Sequence, residues 1–229
     1  MQRAQKLLNR TTVPLRRWYY AGAGLSKLWI VVPSRARRML GLDDPTAMNT
    51  RRIEIGPGPY PTSGFIHMDI FPWGPHLEAV GPMWALPFPN DWATDIRAIH
   101  ALEHVHPSQL EDTLAEWRRV LAPGGKVLIS VPNGPAIMEA FKRASVPEKW
   151  PLAGLLLGMY CGPELRDPRQ LAARSDHQIV FDWDVLSWAL ETAGFSDVQN
   201  LSDDWKDRHS AAWDPIVKQY SLVAQATAA

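Results

Sequence analysis

One segment in the middle of the chain constrains the fold more than any other. It predicts a strand in "DIRAIHAL", a helix in "HPSQLEDTLAEWRRVLAPGG" and a second strand in "GKVLISVP". Leu110, Leu114, Trp117 and Leu121 recur at helical spacing, whereas the second strand is dense in β-branched and apolar residues. Two strands joined through a helix of this length run parallel. The sequence therefore predicts an α/β fold built on a parallel sheet.

The flanking segments extend this pattern. We predict strands in "RIEI", "GFIHMDI" and, weakly, "HLEAV" before the central unit, and in "SDVQNL" and "QYSLVAQA" near the end. Helices are predicted in "AIMEAFKRA", "WPLAGLLLGMY" and "DWDVLSWALETAGF". For the central helix, Ser108 and Glu111 predict a capping box at its start, and Gly124-Gly125 predicts its end. A hydrophobic content of 46% is enough for the core of one such domain.

Chemically useful residues follow three of the predicted strands. A parallel sheet binds ligands beyond the carboxyl ends of its strands. "GPG" follows the first strand, Asp69 ends the second, and "HALEHVH" ends the fourth. Gly56 and Gly58 let the backbone approach a ligand closely, and an acid such as Asp69 can accept hydrogen bonds from both ribose hydroxyls. We therefore expect a nucleotide-type site at this edge.

The connection after the first strand is unusually short and contains three prolines. Gly58 to Asp69 spans 11 positions, and these include the predicted second strand. A loop, a full helix and the return to that strand would need nearly twice as many, because a crossover takes at least about 10 to 12 residues beyond the strands. We therefore interpret "IEIGPGPYPTSGFIHMDI" as a cofactor loop whose first helix is reduced to a turn. The alternative is a proline-rich turn that binds nothing.

The chain divides into a basic N-terminal helical extension, residues 1–48, and an α/β domain, residues 49–229. Up to Arg52 there are eleven Lys and Arg against two Asp, giving +9, and the remainder has 13 basic against 22 acidic residues, giving −9. The extension could dock on the acidic domain and close its pocket, or bind an anionic membrane surface as an interfacial helix. Nucleic acid is the least favoured partner, because no recognised nucleic-acid module accompanies the charge.

Targeting signals and cysteines point to one compartment. The single cysteine, Cys161, excludes a disulfide framework within the chain. We see no secretory signal pattern at the N-terminus and no apolar run approaching a membrane span. The expected localisation is cytoplasmic, with a peripheral membrane position left open. The number of subunits is not fixed by the sequence.

Five stretches, in order, carry a family resemblance: "IEIGPGP", "GFIHMDI", "ALPFPND", "HALEHV" and "LAEWRRVLAPGGKVLISVPN". This set resembles class I S-adenosylmethionine-dependent methyltransferases, of the type 11 kind. It is most similar to predicted bacterial methyltransferases with a short first crossover, whose genes often accompany polysaccharide synthesis. The resemblance covers residues 51–134 and "HQIVFDWDVLSWALETAGF", and leaves out residues 1–48.

The resemblance implies a Rossmann-like, doubly wound, mostly parallel seven-stranded sheet in the order 3-2-1-4-5-7-6, with strand 7 antiparallel. It implies S-adenosylmethionine as the cofactor. Pro82 stands where many members carry an acid near the adenine, so backbone atoms and apolar contacts would hold the adenine instead. The cofactor-binding residues that we expect are Glu54, Gly56, Pro57, Gly58, Asp69, Ile70, Met83, Trp84 and His100.

The histidines have several interpretations. His100 and His104 match the family's "HxLEH" pattern, and either could remove a proton from the acceptor as general base. We place His104 first, then His100, and His177 as a residue that faces the pocket from a substrate flap. The alternative is that they brace the cofactor loop. A metal site of His100, His104 and His106 is least favoured, because no carboxylate or cysteine cluster completes it, and we expect no metal.

The expected acceptor is a small molecule or glycan, most plausibly the oxygen of a sugar, glycan or glycolipid precursor. Two alternatives stay open: an inactive methyltransferase fold used as a binding or assembly subunit, and an enzyme for a small aromatic or quinone-like acceptor. An apolar pocket of Trp150, Leu156 and Tyr160 would favour the aromatic acceptor. Residues 135–180 are the expected lid over the substrate.

Overall fold

A single seven-stranded sheet organises the molecule. The computed structural model describes residues 49–58, 61–70, 77–158, 177–203 and 219–229. The predicted N-terminal extension, Tyr160 and Cys161 lie outside these ranges. The strands are β1 Arg52–Ile55, β2 Ile66–Asp69, β3 Ala79–Val80, β4 Ala93–Ile99, β5 Leu121–Pro132, β6 Phe195–Asn200 and β7 Ser221–Ala228.

The order of the strands is β3-β2-β1-β4-β5-β7-β6. The pairs from β3 through β5 are parallel, and β7 is antiparallel to both β5 and β6. The predicted Rossmann-like order, with strand 7 antiparallel, is confirmed. Because the order reverses beside β1, a crevice for a ligand is expected at the carboxyl ends of β1 and β4.

Four α-helices flank the sheet in the described residues: α1 Leu110–Val120, α2 Gly134–Arg143, α3 Val146–Leu157 and α4 Trp183–Thr192. Short 3-10 turns occupy Leu102–His104 and Pro107–Gln109. Helix α1 packs Leu114, Trp117 and Val120, all fully buried, against the apolar residues of the central strands. Within the described ranges, no helix combines the length and the apolar character needed to cross a membrane.

The start and end of α1 differ from the prediction. His106, rather than Ser108, caps the segment: its side chain accepts a hydrogen bond from the backbone N–H of Ser108, and Pro107 opens a 3-10 turn. The predicted capping box is therefore wrong, because Ser108 is already inside that turn. The helix ends at Val120, ahead of Gly124, because Leu121 leaves it to pair with Ala93 of β4.

The connection between β1 and β2 contains no helix in its described parts, residues 56–58 and 61–65. This agrees with the prediction of a first helix reduced to a turn. The described part of the predicted lid is a helical hairpin of α2 and α3, with a small core of its own from Ile137, Leu152 and Leu155. Residues 159–176 of that predicted lid lie outside the described ranges.

The central helix supplies a direct test of the packing. Trp117 is fully buried, and its indole N–H donates to the carbonyl of Met83 at 2.9 Å. We expect Trp117→Ala to lower the free energy of unfolding by about 3–5 kcal/mol, the range for deleting a buried aromatic side chain. Trp188→Ala is the control, because that side chain is 57% exposed, and it should cost only about 0.5 kcal/mol or less. Equal losses in denaturant titrations would contradict this placement of α1.

Candidate active site

The carboxyl ends of four strands meet at one edge of the sheet. Ile55 of β1 is level with Met68 of β2 and with Ala98 of β4. The next residues along these strands, Gly56, Asp69 and Ile99, therefore lie side by side. The antiparallel β7 begins at the same edge, because its first residue Ser221 pairs with Pro132 at the end of β5. The edge thus combines segments from both halves of the chain.

The glycine loop after β1 is built around two left-handed residues. Gly56 has φ +64° and Gly58 has φ +54°, a region that L side chains rarely adopt. A Cβ on Gly56 would lie 2.8 Å from the Cβ of Ala101, so this glycine allows the loop to touch the chain beyond β4. A Cβ on Gly58 would meet none of the described residues within 4 Å. The two glycines therefore have different roles: Gly56 serves packing, and Gly58 borders open space.

Glu54 on β1 stabilises this loop through side-chain hydrogen bonds. It is buried, and its carboxylate accepts hydrogen bonds from the backbone N–H and the hydroxyl of Thr62, each at 2.7 Å. The Nε of Arg97 lies 3.3 Å from the same carboxylate, and the His67 ring lies 3.6 Å away. Burial lowers the pKa of Arg97, while the neighbouring Glu54 raises it. These contacts join the end of β1 to Thr62 in the connection to β2. The cofactor contact expected of Glu54 stays a prediction.

The predicted ribose and adenine contacts lie beside the loop. Asp69 and Ile70 are half-buried at the end of β2, and the carbonyl of Asp69 accepts from the N–H of Gly81 at 2.9 Å. Met83 and Trp84 are half-buried and pack against the main core. The hydrogen bond from the Trp117 indole to the Met83 carbonyl holds this segment against α1.

A cluster of three histidines and one carboxylate lies beyond β4. Glu103 is fully buried in the 3-10 turn. Its Oε1 lies 3.3 Å from Nδ1 of His100 and 3.7 Å from Nε2 of His177. The rings of His104 and His177 meet edge to face, with centroids 4.9 Å apart. Nε2 of His100 in turn lies 2.8 Å from the Ser221 hydroxyl.

Backbone geometry brings these residues together. His100 has φ +51°, a left-handed conformation that is uncommon outside glycine, and its N–H donates to the Ser130 carbonyl at 2.8 Å. His100 and His104 do not share a helix face, because His100 turns the chain before the 3-10 turn at Leu102–His104 begins. The carbonyl of Glu103 accepts from the N–H groups of Gln178 and Ile179, which holds His177 beside the turn.

The cluster has an unusual charge balance. Burial alone would raise the pKa of Glu103, but its contact with His100 and the charges of His104 and His177 hold that pKa below its usual value. Burial lowers the pKa of His177, against the opposing effect of Glu103. The structure therefore keeps a carboxylate ionised in a place without water contact, surrounded by imidazoles.

Sequence reasoning found part of this cluster. His100, His104 and His177 were predicted and are brought together, whereas His106 is exposed and only caps the neighbouring turn. The pattern "HALEHVH" contains Glu103 but does not by itself indicate a role for it, and the sequence does not predict that Ser221 belongs to the cluster. A buried acid inside "HALEHVH" was the available signal for Glu103. No local pattern points to Ser221, which is 121 positions from His100.

Comparison with known families agrees with this geometry. The family described as "Methyltransferase domain" matches residues 64–129, which include β2, β4, the Glu103 turn and α1. The match and the sheet order together give this chain the fold and the domain of an S-adenosylmethionine-dependent methyltransferase. They support S-adenosylmethionine as its cofactor. A comparison with curated proteins gave no match.

The chain is also similar, at TM-scores below 0.5, to several solved structures described as methyltransferases. An S-adenosylmethionine-dependent methyltransferase from Archaeoglobus fulgidus has 16% identity and a TM-score of 0.48, over 86% of this chain and 93% of that one. One from Thermotoga maritima has 14% identity and a TM-score of 0.47, over 98% and 99%. The CurJ carbon methyltransferase has 19% identity and a TM-score of 0.46, over 87% of this chain and 54% of that one. The chain thus spans about half the length of the CurJ protein, and the fold assignment depends on the sheet order itself.

Two of the three left-handed glycines with open surroundings provide a matched test of the loop. Gly58 and Gly124 both have positive φ, and a Cβ on either would meet no described residue within 4 Å. Alanine at each should therefore cost a similar backbone strain, about 1–2 kcal/mol. We expect Gly58→Ala to weaken binding of S-adenosylhomocysteine at least about tenfold, or ~1.4 kcal/mol, and Gly124→Ala to leave it unchanged. Titration calorimetry measures both, and equal affinities would show that the loop is only a turn.

Asp69 tests the ribose position. We expect Asp69→Ala to weaken S-adenosylhomocysteine binding by about 1.5–3 kcal/mol, the range for hydrogen bonds to a charged group. Asp112→Ala, an exposed acid in the first turn of α1, is the control for the loss of one negative charge. An unchanged affinity in a folded Asp69→Ala protein would remove Asp69 from the cofactor site.

Proposed function

We propose that this protein transfers a methyl group from S-adenosylmethionine to an oxygen of a sugar, glycan or glycolipid precursor. The proposal is carried by one observation: Gly56 of the glycine loop packs against Ala101, the residue between His100 and the turn that carries Glu103 and His104. A cofactor held by the loop would therefore have a polar acceptor region beside it. The sugar class is suggested by the resemblance to bacterial methyltransferases associated with polysaccharide synthesis.

The residues at the strand ends fit this cofactor. Left-handed Gly58 opens onto free space in the described structure, which suits close approach by a ligand. The ribose role that we propose for Asp69 is supported by its position at the end of β2, beside β1. Met83 and Trp84 offer apolar surface for an adenine. When bound, S-adenosylmethionine supplies a methyl group activated by the sulfonium. The chain's own contribution is alignment, because a displacement of this kind requires donor and acceptor in line at short distance.

The polarity of the acceptor region favours a hydroxyl-bearing substrate. The side chains that converge there are His100, Glu103, His104, His177 and Ser221. The partly buried imidazoles of His100, His104 and His177 offer hydrogen bonds to a sugar, whereas Glu103 and Ser221 are buried and act through these rings. A site built from polar groups rejects a partner without matching groups. The proposal of a sugar-type acceptor is supported by this lining.

The aromatic alternative has less support from the described residues. It requires an apolar pocket that includes Trp150 and Leu156. Trp150 is 80% exposed on α3, and Leu156 is only half-buried, packed within the α2–α3 hairpin. An inactive binding subunit is not favoured by a specific observation, since the glycine loop and the cluster are both present.

A panel of acceptors tests the proposal. We expect methyl-labelled S-adenosylmethionine to label a nucleotide sugar or a polyprenyl-linked monosaccharide, and to leave catechol and a hydroquinone unlabelled. The label should survive acid hydrolysis of the product as an O-methyl monosaccharide, because a methyl ether is stable there. Transfer only to the phenolic compounds would overturn the sugar assignment.

The Gly58→Ala protein is the control for this panel, since it should lose transfer together with cofactor affinity. If wild type binds S-adenosylhomocysteine but labels no acceptor of either class, the inactive-fold alternative gains support. If neither binding nor labelling occurs, the enzymatic proposal itself fails.

A further inference from the structure

The side chains of Glu103, His104 and His177 offer a set of ligands for a metal ion. One ligand atom from each residue lies within 4.8 Å of the corresponding atoms of the other two. Glu103 and His104 are adjacent in the 3-10 turn, and His177 comes from the segment that is hydrogen-bonded to the Glu103 carbonyl. We propose that these three residues bind a divalent transition-metal ion of the zinc kind.

The orientation of His177 is the strongest argument for the site. Its Nδ1 lies 3.1 Å from the backbone carbonyl of Leu156, which can only accept, so Nδ1 carries a proton. In the neutral ring Nε2 then presents a lone pair, and this atom faces Oε1 of Glu103 at 3.7 Å. Either a proton on Nε2 or a metal ion between the two atoms satisfies this pair, and only the metal ion also takes His104 as a ligand. A ring N–H held by a carbonyl is also the usual support of a metal-binding histidine.

Glu103 provides a second, independent observation. Its side chain is fully buried, and its one close donor among the described residues is Nδ1 of His100, 3.3 Å from Oε1 and outside good hydrogen-bond geometry. Burying an ionised carboxylate costs several kcal/mol unless a charge or a metal compensates it. His100 lies near one oxygen, and Ser221 holds the far side of the His100 ring. This leaves coordination capacity on Glu103 that a cation would use.

The ligand set selects the class of ion. Two imidazoles and one glutamate are the protein ligands of several catalytic zinc sites, which keep a further position open. Imidazole favours zinc and its transition-metal neighbours over magnesium or calcium, which prefer oxygen. Ligand atoms at ~2.0–2.2 Å from one zinc ion lie roughly 3.3–3.5 Å apart. Atoms now separated by up to 4.8 Å would therefore close in by about 1 Å or slightly more, a movement within reach of side-chain rotation.

The role of the ion rests on the proposed function. An ion beside the glycine loop would hold the acceptor hydroxyl at its open position and lower the pKa of that hydroxyl. In the transfer, the acceptor oxygen forms a bond to the methyl carbon and the sulfur–methyl bond breaks. S-adenosylhomocysteine leaves as a neutral thioether, and the hydroxyl proton passes to solvent. This role replaces the general-base role predicted for His104.

The test uses the full chain, freed of metal with a chelator and then titrated with Zn²⁺ by calorimetry and with Co²⁺ by visible absorption. We expect one ion per chain and the ligand-field bands of cobalt bound by nitrogen and oxygen. His104→Ala and His177→Ala should each weaken binding at least about 100-fold, the upper end of the loss seen for residues that only support a metal ligand. His106→Ala, an exposed histidine of the same segment, should leave binding unchanged.

Glu103→Gln guards against misfolding as an explanation, because it keeps the shape of the side chain and removes its charge. It should lose the ion while keeping the far-ultraviolet circular dichroism of wild type. Absence of cobalt bands in wild type, or equal weakening in His106→Ala, would overturn the metal site. Titration of S-adenosylhomocysteine on the same samples separates the two proposals. If the protein binds S-adenosylhomocysteine but no metal ion, only the metal site is contradicted. If it binds the metal ion but no S-adenosylhomocysteine, only the methyltransferase function is contradicted.

Discussion

The contact between Gly56 and Ala101 fixes the distance between the two halves of the candidate site. No side chain can be added at Gly56 without displacing the chain beyond β4, since a Cβ there would lie 2.8 Å from that of Ala101. Glu54 holds the same loop from the other side through Thr62 and Arg97. The loop is therefore clamped between a packing contact and a buried carboxylate. Such rigid support is what a binding site needs if its geometry is to be preformed.

The second organising element is Glu103, whose burial is costly and whose compensation comes entirely from histidines among the described residues. The turn that carries it is also held by its backbone, since the Glu103 carbonyl accepts from both Gln178 and Ile179. The side chain and the main chain of one residue thus tie the segment after β4 to the segment before α4. A substitution at Glu103 would therefore change the charge of the cluster while the main-chain hydrogen bonds stay available.

The order of the sheet was predictable because local patterns and the family resemblance agree there. β5 is dense in β-branched residues, α1 has a clear apolar stripe, and the short distance from Gly58 to Asp69 leaves no room for a helix. The capping box failed for a local reason: Pro107 starts a 3-10 turn one residue earlier, and His106 takes the capping role.

The cluster itself could be predicted only in part. The histidine pair is visible in "HALEHVH", but the left-handed backbone of His100 removes the helical geometry that its spacing indicates. Ser221 and His177 reach the cluster through strand pairing and backbone hydrogen bonds across long separations. Sequence patterns report on neighbours a few residues apart, so they do not predict contacts that form only when distant strands pair in the sheet.

The antiparallel β7 has a consequence for the order of assembly. It lies between β5 and β6, and β6 is hydrogen-bonded to β7 alone among the described strands. Strands β1 to β5 can pair while the chain from β6 onward is still unfolded, and the glycine loop can form with them. The hydroxyl of Ser221 reaches His100 only after the β6–β7 hairpin has joined β5. Pairing over such long separations is slow relative to local structure. A chain that has not completed its sheet would therefore have a cofactor loop but an incomplete acceptor region, so the reaction would require the fully folded sheet.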